Sequence, residues 1–194
     1  TVSVNGGAKG TKQATTDGYG NLWLENWSEG DDGKRTAVGD TVTATYDGSS
    51  VEMVVQDVEA TVDLANDSIT GTAFTPGGAP LEGRMVQVDI NSEDWQTWLT
   101  SGSSTVQADG SFTIDISPFD LVRGQRVFLT LSDAADGSES GNSTMIEPYN
   151  AIPSLGVMIN HDWLEGYDFP PNTLGTVSVN GGAKGTKQAT TDGD

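Results

Sequence analysis

Arg84-Met-Val-Gln-Val-Asp-Ile90 alternates polar and apolar residues, so Val86, Val88 and Ile90 share one face of an extended chain. Ser111-Phe-Thr-Ile-Asp-Ile116 does the same with Phe112, Ile114 and Ile116, and Val127-Phe-Leu-Thr-Leu131 with Val127, Leu129 and Leu131. Period-two stretches bounded by Gly, Asp, Asn and Pro define half-buried β-strands. Further out, Thr41-Val-Thr-Ala-Thr-Tyr46 is rich in β-branched residues, and the following Asp47-Gly48 predicts a tight hairpin to a strand starting near Val51. Strands are also expected over 21–25, 59–64, 143–146 and 156–160. The helical period is almost absent, and Asp94 to Thr100 reads equally as helix, strand or extended loop. The expected fold class is all-β.

Thr1 to Gly18, TVSVNGGAKGTKQATTDG, returns letter for letter as Thr176 to Gly193, at a spacing of 175 residues (176 − 1). A period of this kind is the mark of a tandem array, which makes length, reach or avidity rather than chemistry. The 194 residues are expected to be one period with a short overlap into the next. Duplication of a segment by design is the alternative.

Weaker similarity lies inside the period. Gly71-Thr-Ala-Phe74-Thr-Pro76 matches Gly166-Tyr-Asp-Phe169-Pro-Pro171 as G-x-x-F-x-P, and Asp109-Gly110 before Ser111-Phe matches Asp17-Gly18 before Asn21-Leu-Trp. Each period is therefore expected to hold two immunoglobulin-like antiparallel sandwiches, a fold of about 100 residues. The divisions expected are 1–67, a sandwich lacking its first strand; 68–161, a complete sandwich joined through a linker at 66–68; and 162–194, the first strands of the next. Trp163, Gly166, Phe169, Val177 and Val179 would supply those first strands to a neighbouring 1–67 unit, head to tail. In the alternative, 162–175 folds back onto its own 1–67 unit and the two identical segments compete for one position.

The stretch Ile69 to Asp136, through Ile69-Thr-Gly-Thr, Pro80-Leu-Glu-Gly-Arg-Met-Val-Gln-Val, Ala108-Asp-Gly-Ser-Phe and Gly124-Gln-Arg-Val, resembles bacterial immunoglobulin-like and carboxypeptidase-regulatory-like surface repeats. Asn160-His-Asp-Trp-Leu-Glu-Gly-Tyr is similar to repeats of large secreted adhesin-type proteins. The resemblance rests on turns and core residues, so it carries over no catalytic residue. It implies a cell-surface or extracellular structural repeat of a fibre, stalk or adhesin, not an enzyme. The alternatives are a carbohydrate-binding module array and an accessory region of a large secreted enzyme.

The charge balance narrows the partners. With 28 Asp+Glu against 9 Lys+Arg, the formal charge is −19, which repels nucleic acid and anionic membranes and attracts cations. There are no cysteines, and no apolar run long enough to span a bilayer as a helix. Asp31, Asp32 and Asp40 in one loop region, and Asp133, Asp136 and Glu139 in another, are candidate Ca2+ ligands, although no EF-hand spacing is present. Trp95 and Trp98, in Glu93-Asp-Trp-Gln-Thr-Trp, are candidate sugar-stacking rings. His161, the only histidine, reads as a polar linker residue.

Overall fold

The computed structural model describes residues 1–18, 22, 24, 35–133, 142–157, 164–167, 174–178 and 186–191. Along them run β1 (Val2–Val4), a 3₁₀ turn (Asn5–Gly7), β2 (Gly10–Lys12), β3 (Thr41–Tyr46), β4 (Ser49–Val54), β5 (Asp57–Asp63), β6 (Ser68–Phe74), β7 (Met85–Asn91) and β8 (Trp98–Thr105). They continue with β9 (Ser111–Asp115), β10 (Arg126–Ser132), β11 (Ser143–Ile146), β12 (Ser154–Val157), β13 (Leu164–Tyr167), β14 (Leu174–Ser178) and β15 (Thr186–Thr190). All the strand pairings are antiparallel. The chain is all-β, as the alternations predict.

The centre of the molecule is a two-sheet core. One sheet has the order β5-β6-β9 and the other β11-β10-β7-β8. The apolar positions of the alternating strands meet between them. Ile69, Ala73, Phe112 and Ile114 come from the first sheet, and Val86, Val88, Ile90, Val127, Leu129 and Leu131 from the second, all in one buried cluster. Removing each larger side chain from water contributes about 1.5–3 kcal/mol. The polar residues between them face outward, and this fixes the register, because a one-residue slip would turn every apolar side chain to solvent.

The boundary expected at residue 68 is not a linker. β5 pairs with β6 along its whole length, from Asp57↔Phe74 to Asp63↔Ser68. The Asp63 side chain accepts hydrogen bonds from the Ala65 and Asn66 amides (3.0 and 3.2 Å), and Asp67 takes a left-handed φ of 47°. Residues 64–67 are thus a hairpin turn, and Val58 reaches the same core as Ile69. The G-x-x-F-x-P repeat starting at Gly71 suggests a unit boundary here, but turn residues such as Asn and Asp suit a tight hairpin as well as a linker. Of residues 94–100, 94–97 form a turn and short link, and 98–100 begin β8.

Gly71 stands at the middle of β6. A Cβ there would overlap the Glu59 carbonyl oxygen and the Phe112 ring. Phe112 is buried directly over this glycine. Phe74, the other half of the G-x-x-F pattern, is only half-buried and lies over Gly110, which turns at φ 87°.

The remaining described strands form the sheet β2-β1-β3-β4 and the hairpins β12–β13 and β14–β15. Asp47-Gly48 closes the β3–β4 hairpin with both residues at positive φ (41° and 75°), the geometry of a two-residue primed turn. This sheet touches the core sandwich where the Gln56 amide donates to Thr144 Oγ1 (3.1 Å) and Asn142 Nδ2 to the Glu52 carbonyl (2.9 Å).

Gly71→Ala is expected to destabilise the protein by about 2–3 kcal/mol, an overpacking cost, because strand backbone on one side and a buried ring on the other leave no room. A thermal melt with an unchanged midpoint would refute the placement of Phe112.

Candidate functional site

The identical segments fold alike. In the first copy β1 pairs with β2 in the register Val2↔Lys12 and Ser3↔Thr11. In the second, β14 pairs with β15 as Val177↔Lys187 and Ser178↔Thr186, the same register moved by 175 residues. Among the described residues only the first copy also lies on the edge of β3. Each copy makes its own hairpin.

The outer edges differ. β1 also pairs with β3, as Val2↔Ala44, Ser3↔Thr43 and Val4↔Val42, and Val4 is only 1% exposed. The Thr45 amide donates to the Thr1 carbonyl (2.7 Å), and the Thr1 nitrogen to the Thr45 carbonyl (3.0 Å). Among the described residues β14 pairs with β15 alone, and Val177 is half-buried.

Asp40 secures the docked copy. The residue is 6% exposed, and its carboxylate accepts from Lys9 Nζ (2.6 Å), Asn5 Nδ2 (2.8 Å) and the Ala37 amide (2.8 Å). Asn5 Oδ1 in turn accepts from the Thr41 amide (2.8 Å). Asn5 reaches this position at the end of β1 because it takes φ 50° and is followed by glycines at φ 62° and 96°. The hydrogen bond from Lys9 is the main cause that holds the Asp40 carboxyl below its ordinary range; burial opposes it, and the Ala37 amide and Asn5 side chain add to it. Lys9 and Asn5 were not singled out by sequence as a pair with Asp40. The signal was weak, because an acid between glycine and threonine looks like any turn residue.

A second surface lies on the outer face of the sandwich. Asn91 of β7 is the cross-strand partner of Trp98 on β8 and of Arg126 on β10, while Asp89 is opposite Phe128. A shallow depression of about 340 Å³ is lined by Asp89, Asn91, Trp95, Trp98 and Phe128. Trp98 Nε1 donates to Asp89 Oδ1 (3.3 Å). Trp95 meets Phe128 edge to face at 6.4 Å, and the Arg126 guanidinium lies 5.5 Å from the Trp95 ring centre. The two tryptophans singled out from sequence are thus brought together. Asp89, Asn91, Arg126 and Phe128 were not foreseen, since only the strand register reveals them as neighbours.

Of the proposed Ca2+ ligands, only Asp40 and Asp133 are among the described residues. Asp40 stands with Lys9 and Asn5, Asp133 is described without its expected companions, and Asp31, Asp32, Asp136 and Glu139 lie outside the described residues. Among the described residues no group of three or more acidic or histidine side chains is placed to hold a metal ion. Of the assembly residues, Gly166 sits in β13 opposite Leu155, Val177 in β14, and Trp163, Phe169 and Val179 lie outside the described residues, as does His161.

No protein-family model and no curated protein matches this chain. Among solved structures it is similar to part of a Ca2+-stabilized adhesin with which an Antarctic bacterium binds ice, at 17% identity and a TM-score of 0.31. That match covers 79% of this chain and 45% of the adhesin chain, so this chain spans less than half of that solved chain. No helix among the described residues is long and apolar enough to cross a membrane.

The lowered Asp40 value fixes the sign of a pH effect. Its contribution is fully present above the ordinary aspartate value of 3.8 and is lost as pH falls through the depressed folded-state value. Amide exchange in β1, corrected for intrinsic rates, should therefore show a docked hairpin at neutral pH that loosens only below that ordinary value. Asp40→Ala should raise the opening of β1 at pH 7 about thirtyfold, the effect of losing about 2 kcal/mol of charge-assisted hydrogen bonding. Unchanged exchange would remove Asp40 as the fastening group.

Proposed function

We propose that this chain is a structural repeat of an extracellular or cell-surface fibre, stalk or adhesin, and that its second hairpin serves as the docking piece of the next unit. One observation carries the reading. The strand positions described in both copies of the same eighteen-residue sequence pair in the same register, docked on β3 in one and, among the described residues, paired only with each other in the second. Every contact that Thr1–Gly18 makes with β3 and Asp40 is available to Thr176–Gly193, since the side chains are identical. The partner is the β3-equivalent strand of a following repeat in one chain, or of a second copy from which the first hairpin has been displaced. A β-strand edge takes such a partner through its backbone, whichever chain supplies it.

The strand order of the core supports the finer reading of residues 57–146 as an immunoglobulin-like sandwich, with three strands facing four around one core. A second such unit would form around the β2-β1-β3-β4 sheet. In this reading the role is mechanical and catalysis has no part. The net charge of −19 keeps neighbouring threads apart in solution. Ca2+ binding by the acidic loops stays a secondary proposal, checked by whether a chelator lowers the melting temperature.

A chain lacking residues 1–18 is the direct test of docking. It is expected to associate head to tail in light scattering, because residues 176–193 of one molecule fill the vacated edge of β3 in the next. Removing both copies should return a monomer. A monomeric species from the single deletion would overturn the docking role.

A further inference from the structure

We propose that the outer face of β8, β7 and β10 is a binding site for neutral glycans built from pyranose rings. This goes beyond the structural role and does not rest on it.

Two large aromatic side chains stay in water at a cost. Trp98 is 61% exposed and Trp95 46% exposed, although each could bury a large apolar area. Paired exposed rings on one sheet face mark a place where something else binds.

The backbone adds a second observation. Trp95 adopts φ 61°, a left-handed conformation that is unfavourable for so bulky a side chain. The turn that imposes it is firmly tied. Ser92 Oγ donates to Asp94 Oδ1 (2.6 Å) and accepts from the Thr97 amide (3.0 Å), while Asp94 Oδ1 also accepts from the Gln96 amide (3.0 Å). The Trp95 amide closes the turn onto the Ser92 carbonyl (3.0 Å). Arg126 braces the ring from below through its 5.5 Å contact, and its own guanidinium is held by Glu147 at 2.9 Å. The ring is therefore set in place before any ligand arrives, which lowers the ordering cost of binding.

The polar groups decide the ligand class. Asp89 and Asn91 project from β7 between Trp98 on one side and Phe128 on the other. An apolar partner would have to strip water from this carboxylate and amide without replacing their hydrogen bonds. A pyranose does not. Its C–H face packs on an indole ring, and its equatorial hydroxyls donate to Asp89 and both donate to and accept from Asn91. The overall charge of −19 disfavours acidic sugars. A cationic peptide is the rival class, but Arg126 already occupies the cation position at Trp95.

The test uses the whole chain and four neutral probes: cellohexaose, maltohexaose, mannohexaose and N-acetylchitohexaose. Tryptophan fluorescence and amide chemical shifts report binding. At least one probe should bind saturably, with shifts confined to residues 89–98 and 126–128. Trp98→Ala should weaken it by at least about tenfold, the scale of one lost aromatic stacking contact, without moving the melting temperature. Asn91→Ala, which keeps the Trp98–Asp89 hydrogen bond, should weaken it by about threefold or more through the lost amide. The proposal is overturned by no response to any probe at about 10 mM, a level well above a millimolar dissociation constant. It is equally overturned by binding that survives both variants, or by a lysine-rich peptide binding at these residues where the sugars do not.

Discussion

The backbone ladder between β1 and β3 is the contact on which the organisation of this chain depends. It converts a two-stranded hairpin, which is marginal alone in water, into one half of a four-stranded sheet. It also buries Val4 and brings Asn5 and Lys9 to Asp40. Among the described residues, β14 and β15 show the same pairing without that ladder. They have the register, but Val177 is less buried than its copy Val2. Comparing the two separates what eighteen residues do by themselves from what a neighbouring strand adds.

Much of the fold was legible because it obeys the two-residue period. Val86, Val88, Ile90, Phe112, Ile114, Ile116, Val127, Leu129 and Leu131 were assigned to one face from alternation, and all are buried. Asp47-Gly48 announced its hairpin because few residues tolerate positive φ twice in succession. The boundary at 68 was not legible. Asn66 and Asp67 favour turns, and sequence does not say whether the strands on either side of a turn pair with each other or belong to separate units.

The sites were less legible than the fold. Trp95 and Trp98 stood out because tryptophan is scarce and large, but their polar neighbours Asp89 and Asn91 looked like the ordinary outward residues of a strand. Only the pairing of β7 with β8, displaced by a bulge between Ile90 and Asn91, puts Asn91 opposite Trp98. Asp40 was grouped with other acids because proximity in sequence suggested a shared cation, whereas the fold hands it a lysine from thirty-one residues away. Long-range register is the missing information in both cases, and composition does not contain it.

The letter-for-letter identity of the two hairpins has a consequence for how an array of such units would fold. Interchangeable parts carry no address. A hairpin from one unit that lands on the β3 strand of another loses no side-chain contact, so correct order along the thread would be enforced by tether length and by the sequence of synthesis alone. Nascent chains emerging one repeat at a time would then find the nearest partner first, and a denatured array refolding all at once would tangle.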